Sequence, residues 1–232
     1  MAVVRRVSDR RGWAVRLCVL LLKPPLLLIS GREWRNGTRI PPAGGCVIVA
    51  NHVSQVDPVM LAHFIYDHGR VPRALAKESI FRVRGIGSIL RSAGQIPVSR
   101  DRDPAAALSA AVAAAEAGAC LLVYPEGSIT KDPEGWPMRG KTGAARIALL
   151  TGVPVIPVGQ WGAQEIQPAY TRRLRVLPRR AAGFSVGEPV DLSDLAGREI
   201  GADVLAEATE RIMTAITAEV ASLRGIPVPV KR

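Results

Sequence analysis

Cys46-Val47-Ile48-Val49-Ala50 is an unbroken apolar run of strand length that stops at the polar pair Asn51-His52, and similar runs return at Cys120 to Tyr124 and at Val155 to Val158. Helical patterns lie between and after them. Asp103-Pro104, the Ala-rich stretch that follows and Gly118 supply an N-cap, a proline at the first helical position and a terminating glycine, which predicts a helix over 104–117. Thr142 to Thr151 reads as a second helix stopped by Gly152. Ala202 to Leu223 reads as a third, with Leu205, Ile212, Ile216, Val220 and Leu223 on one face. Arg172 to Leu177 and Phe184 to Val186 suggest a late hairpin. Alternating strands and helices mark a layered α/β architecture. With no Pro/Gly/Ser linker and no internal repeat, the body is expected to be a single domain over residues 36–232, preceded by a basic, apolar segment over 1–35.

Charge narrows the partners. The net charge of +11 is concentrated: residues 1–35 hold eight bases and two acids, residues 70–102 eight and two, and residues 171–180 five arginines and no acid. Three basic patches point to anionic partners, namely nucleic acid, anionic lipid or a phosphorylated substrate. Stacking on bases requires interleaved aromatics, and beyond Trp13, Trp34 and Phe81 the patches contain none, so phosphate or lipid is favoured over nucleic acid. Cys18, Cys46 and Cys120 are odd in number and widely spaced, which offers neither a disulfide framework nor a zinc site and suits a reducing cytosolic face.

Residues 13–30 are the most apolar stretch, but Arg16, Lys23 and Pro24-Pro25 divide it, and uninterrupted runs reach only six residues, Leu17 to Leu22. A spanning helix needs roughly 20. A signal peptide fits poorly, because charges interrupt the apolar region and no A-x-A site follows. The expectation is a helix, a Pro-Pro bend and a second apolar piece, forming a monotopic anchor on an anionic membrane surface. The plainer alternative is a pair of helices packed on the domain.

Chemistry is expected where strands end. Asn51-His52-Val53-Ser54-Gln55-Val56-Asp57-Pro58 follows the first strand, the position at which open α/β sheets build sites. Asp57-Pro58 resembles a helix start. On one continuous helix, residues five apart diverge by about 140°, so pairing His52 with Asp57 requires a folded-back turn. Such a turn lets the carboxylate hold one imidazole nitrogen while the other takes a proton from a hydroxyl. A capping Asp beside a structural His accounts for the spacing equally well. Tyr124-Pro125-Glu126-Gly127-Ser128 places an acid and a flexible residue directly after a buried strand. Gly94 to Arg100 forms a short strand ending in an arginine suited to phosphate. His63 and His68 have no partner at useful spacing.

These residues resemble the glycerolipid acyltransferases of the 1-acylglycerol-3-phosphate (lysophosphatidic acid) acyltransferase type. The Asn-His-x4-Asp block matches Asn51, His52 and Asp57. A second block matches Gly94, Ile96, Val98 and Arg100. Pro-Glu-Gly-Thr/Ser matches Pro125 to Ser128, and a Val-Pro-Val-x-Pro-Val-like block matches Val153 to Val158. Ser99 and Ser128 stand where the family often has a charged residue and Thr. The resemblance implies a mixed sheet flanked by helices, with a membrane-associated N-terminal helical segment. It implies acyl transfer from acyl-CoA or acyl carrier protein to lysophosphatidic acid, giving phosphatidic acid, with no cofactor, metal or covalent acyl-enzyme. His52, oriented by Asp57, is the implied general base, and Arg100 the implied phosphate ligand. Glu126 and Gly127 bind the glycerol portion or brace the site, with Ser128 alongside. Lys77, at a strand end, adds phosphate charge or is simply solvated. Lys141 matches a basic position after the third block, or is an exposed residue before a helix.

Rival readings are acyl transfer to glycerol 3-phosphate, a lysophospholipid or a glycolipid, and, from another class, a basic membrane- or nucleic-acid-binding module. A serine hydrolase is disfavoured because the G-x-S-x-G string that is present, Gly183 to Gly187, falls in the late strand-like stretch and opens no helical pattern, so it is not a strand-to-helix elbow.

Overall fold

The computed structural model describes residue 5 and residues 7–99 and 103–229. In chain order the elements are α1 (Trp13–Ile29), β1 (Ser30–Arg35), β2 (Cys46–Ala50), α2 (Asp57–Asp67), β3 (Pro72–Lys77), α3 (Glu78–Phe81), α4 (Ile86–Ser92), β4 (Ile96–Val98), α5 (Pro104–Glu116), β5 (Cys120–Val123), α6 (Gly143–Thr151), β6 (Val155–Trp161), α7 (Ala163–Ile166), β7 (Arg180–Val186) and α8 (Ala202–Arg224). The strands form one mixed sheet in the order β1-β7-β6-β2-β5-β3-β4.

Five strands, β6, β2, β5, β3 and β4, run parallel, so their C-terminal ends share one edge of the sheet. Strands covered on both faces need apolar side chains at every position, and all five residues of β2 are buried. Alternate residues divide between two cores. Val47, Val49, Leu121 and Val123 pack under α5, α6 and α8. Cys46, Ile48, Ala50, Cys120 and Leu122 pack on the other face, against Met60, Leu61, Phe64 and Ile65 of α2 and Leu26 of α1. Helix α8 lies close on β6 because Gly159 has no side chain. A Cβ there would stand 2.5 Å from the carbonyl carbon of Glu219.

The expected strands and helices of the body form as read. The Asp103 side chain accepts from Ala106 N–H at 2.8 Å, capping α5, and Gly152 at φ +67° ends α6. The late hairpin does not form. Residues 172–177 lie outside any strand and are exposed, while Phe184–Val186 belong to β7, which pairs antiparallel with β6 and parallel with β1. The reason is satisfaction of both partners: β7 inserted between β1 and β6 completes two ladders. The arginines of 172–175, by contrast, have no buried acid to accompany them into a sheet.

The N-terminal segment also differs from expectation. Trp13–Ile29 is one helix that continues through Pro24 and Pro25. Each proline removes a donor to the carbonyl four residues earlier. Those carbonyls belong to Leu20 and Leu21, both of them exposed residues, so neither acceptor is forced into a dry interior. Lys23 Nζ meets the buried Asp67 of α2 at 2.5 Å and holds the helix on the domain. Trp13, Leu20, Leu21, Pro24 and Leu28 recur at helical spacing on the open side. Immediately after the helix, Ser30–Arg35 enters the sheet as β1, so the predicted boundary at residue 35 falls at the end of an edge strand. Among the described residues, no helix is long and apolar enough to cross a membrane.

Candidate active site

The buried Asp57 organises the turn after β2. Its Oδ2 accepts from the backbone N–H of Val53 at 2.6 Å and of Ser54 at 2.7 Å, and lies 2.9 Å from His52 Nδ1. Three donors converging on one oxygen fold residues 52–57 back on themselves, the turn the spacing required. Ser54 Oγ extends the network by donating to Gln167 O at 2.6 Å. Burial raises the Asp57 carboxyl above its usual range, against the lowering effect of the His52 hydrogen bond and charge and of the Ser54 and Val53 N–H groups. With Nδ1 directed at that carboxylate, His52 Nε2 is the nitrogen left for chemistry. The imidazole stacks on Tyr124, ring centroids 4.3 Å apart and 25° between planes.

The loop after β5 supports the histidine from its main chain. Glu126 Oε1 accepts the His52 N–H at 2.9 Å, and Oε2 accepts the Met138 N–H at 2.9 Å. The His52 carbonyl accepts from Thr130 N–H at 2.7 Å. Glu126 is buried, and that burial pushes its carboxyl up to about 7 despite the Met138 and His52 N–H groups and the His52 charge. The expected alternatives for this residue were a glycerol ligand or a brace; both of its oxygens are engaged by backbone of the neighbouring loops. Gly127 adopts φ +75°, a left-handed conformation that favours glycine, and its N–H donates to Tyr124 O at 3.0 Å, closing the turn. Ser128 follows, half-buried.

The basic residues distribute differently. Lys141 has an exposed side chain, but its N–H donates to Pro125 O at 2.8 Å, which ties it to the Glu126 loop. Lys77 is the exposed last residue of β3, paired with Val98 in the register of β4. The parallel topology puts it on the same sheet edge as His52 and Glu126, two strands from β2 and so about 10 Å away. Arg100 lies outside the described residues; Val98, the end of β4, brings the chain to that edge.

Three contributors have no role assigned to them by the sequence. Asn51 and Gln160 clamp the ends of β2 and β6. Asn51 Nδ2 donates to Gln160 O at 3.0 Å, Gln160 N–H donates to Asn51 Oδ1 at 2.8 Å, and the Gln160 side chain donates to Asn51 O. A lone Gln at the end of a buried apolar run was the available signal, because a buried amide needs partners. The third is Tyr124, whose ring is invisible to any spacing argument. His63, expected to lack a partner, has one: Nε2 lies 3.2 Å from Asp67 Oδ2, one helical turn away. His68 is structural, its Nδ1 2.7 Å from Phe64 O.

The acyltransferase family model matches residues 32–161, from β1 to the end of β6, more than half of the chain. The chain belongs to the acyltransferase family. Among curated relatives of this acyltransferase, a chloroplastic 1-acyl-sn-glycerol-3-phosphate acyltransferase of Brassica napus is 33% identical over 125 residues, covering 53% of this chain but only 35% of the relative. Its Bacillus subtilis counterpart is 25% identical over 182 residues, 78% of this chain and 84% of the relative. One from Borreliella burgdorferi is 30% identical over 149 residues, 62% and 56% respectively. The crystal structure of a Thermotoga maritima 1-acyl-sn-glycerophosphate acyltransferase superposes with a TM-score of 0.67 at 22% identity, over 94% of this chain and 81% of that one, a likeness of fold. The matched span contains His52, Asp57, Arg100, Glu126 and Lys141.

Proposed function

We propose that the protein transfers a fatty acyl group from acyl-CoA or acyl carrier protein to the free hydroxyl of 1-acylglycerol 3-phosphate, giving phosphatidic acid. The observation that carries this reading is the His52 Nδ1–Asp57 Oδ2 contact of 2.9 Å on a buried carboxylate, within a family-matched domain. His52 Nε2 takes the hydroxyl proton as the oxygen attacks the thioester carbonyl. The tetrahedral intermediate collapses, the C–S bond breaks, and the departing thiolate receives the proton back from the imidazolium. Asp57 holds the tautomer and stabilises the transient positive charge. No acyl-enzyme forms and no cofactor is used.

Glu126 serves by bracing the His52 main chain, with Gly127 shaping the turn and Ser128 beside the glycerol portion. Arg100 takes the acceptor phosphate, and Lys77 and Lys141 add positive potential along the same edge. The exposed stripe on α1 supports attachment to an anionic membrane surface without spanning it. A cytoplasmic face suits the three free cysteines.

The test is an acceptor panel: 1-acylglycerol 3-phosphate, glycerol 3-phosphate, a lysophospholipid and a glycolipid, each with acyl-CoA and acyl carrier protein donors, followed by thiol release. Turnover specific to 1-acylglycerol 3-phosphate and reduced about 10²–10⁴-fold in His52→Ala is expected. Undiminished turnover by His52→Ala sinks the mechanism, and thiol release independent of any acceptor sinks the transferase reading.

A further inference from the structure

The acid-free arginine cluster of residues 171–180 stands outside the reaction just described, and its setting in the fold is informative. Residues 170–179 are exposed without interruption. Among the arginines stand large apolar side chains that find no core: Leu174 is 55% exposed, Val176 41% and Leu177 82%. A ten-residue stretch combining bare leucines with unscreened positive charge is costly in water, since apolar area is left wet. The same combination matches an anionic bilayer, which offers hydrocarbon beneath a layer of phosphates.

The ends of this segment show where it sits. At its start, Gln167 O accepts from Ser54 Oγ of the His52 loop, and Tyr170 Oη donates to Ile129 O of the Glu126 loop at 2.7 Å. At its end, Arg179 donates to Leu27 O at 2.9 Å and Ser30 O at 2.8 Å, at the C-terminus of α1, where Leu28 is 76% exposed. The segment therefore runs from the rim of the candidate active site to the exposed stripe of α1.

We propose that residues 170–179 form a second bilayer-contacting element, with Leu174 and Leu177 set among lipid acyl chains and Arg172, Arg173 and Arg175 on anionic phospholipid phosphates. This rests on the membrane reading of α1 and extends it to a surface that reaches the active-site rim, so that a lipid acceptor passes from the leaflet to His52 along the segment. An acidic carrier protein would satisfy the arginines but has no use for the wet leucines between them.

The test uses the full chain and vesicles of phosphatidylglycerol and phosphatidylcholine in equal parts, or of phosphatidylcholine alone. Each basic residue near an anionic surface is worth about fivefold in partition. Arg172→Gln/Arg173→Gln/Arg175→Gln is thus expected to lower binding to the anionic vesicles by about 10²-fold, and lysine at all three positions to restore it. Leu174→Ser/Leu177→Ser is expected to weaken binding to both vesicle types and to slow turnover of a bilayer-embedded acceptor, leaving a short-chain dissolved acceptor unaffected. Leu20→Ser/Leu21→Ser on α1 serves as the reference. Release of that variant while both segment variants bind like wild type overturns this proposal and leaves the α1 reading standing. Wild-type binding by all three sets removes both. Segment variants that keep vesicle binding but lose turnover only with acyl carrier protein as donor assign the surface to the carrier and overturn the bilayer contact.

Discussion

Replacing Glu126 by Gln probes the brace and the electrostatics together. The buried Glu126 carboxyl titrates near 7 in the folded protein against 4.5 for the ordinary group. That difference of 2.5, at about 1.4 kcal/mol per unit, means that ionising Glu126 costs the folded state about 3 kcal/mol. The sign follows from proton binding. Between about 4.5 and 7 the folded protein holds a proton that the unfolded chain has released, so this group makes stability fall as pH rises through that window and contributes no further change above it. Gln cannot ionise, so the variant lacks this slope. It also has one acceptor oxygen for the two N–H donors of His52 and Met138, and leaving one donor unsatisfied costs about 1–3 kcal/mol. Guanidinium unfolding at pH 5 and pH 8 separates the effects. Relative to wild type, Glu126→Gln should be less stable at pH 5 by about 1–3 kcal/mol and should recover most of that difference at pH 8. Turnover should fall by about 10–10²-fold, as the His52 main chain loses part of its support. Parallel pH–stability curves for the two proteins would refute the raised carboxyl.

Other outcomes follow from the proposed mechanism and the packing around it. Asp57→Asn keeps an acceptor for the turn but removes the charge facing the imidazole. Its turnover should fall by about 10²-fold or more at nearly unchanged acceptor KM. Arg100→Ala should raise the KM for a phosphorylated acceptor about tenfold or more while leaving the acyl-donor KM alone; a donor-only effect contradicts the phosphate assignment. Asn51→Leu leaves both the N–H and the C=O of Gln160 buried without partners and should cost about 2–3 kcal/mol in chemical denaturation, whereas Gln160→Leu removes only a side-chain donor from Asn51 O and should cost less; a larger loss in Gln160→Leu contradicts the clamp.

Local signals were legible in the chain and long-range ones were not. The apolar runs at Cys46–Ala50 and Cys120–Val123, the Asp103 cap and the stop at Gly152 each depend on residues within a few positions of one another, and propensity and periodicity report them directly. The same holds for His52 and Asp57, five apart, whose contact needs only a turn that the Val53 and Ser54 amides stabilise. Even His63 and Asp67, one helical turn apart, were within reach of a spacing argument.

What tertiary structure alone decided is which distant pieces stand beside one another. Glu126 reaches the His52 amide across 74 residues, and Gln160 reaches Asn51 across 109, because β5 and β6 flank β2 in the sheet. β7 takes Ser30–Arg35 as its neighbour in place of the nearer arginine-rich segment, and one helix runs through two prolines because packing on α2 and an ion pair to Asp67 hold it. Side-chain pattern states that a strand is buried, but strand order is set by the summed packing of both sheet faces, a quantity that no short window of sequence contains.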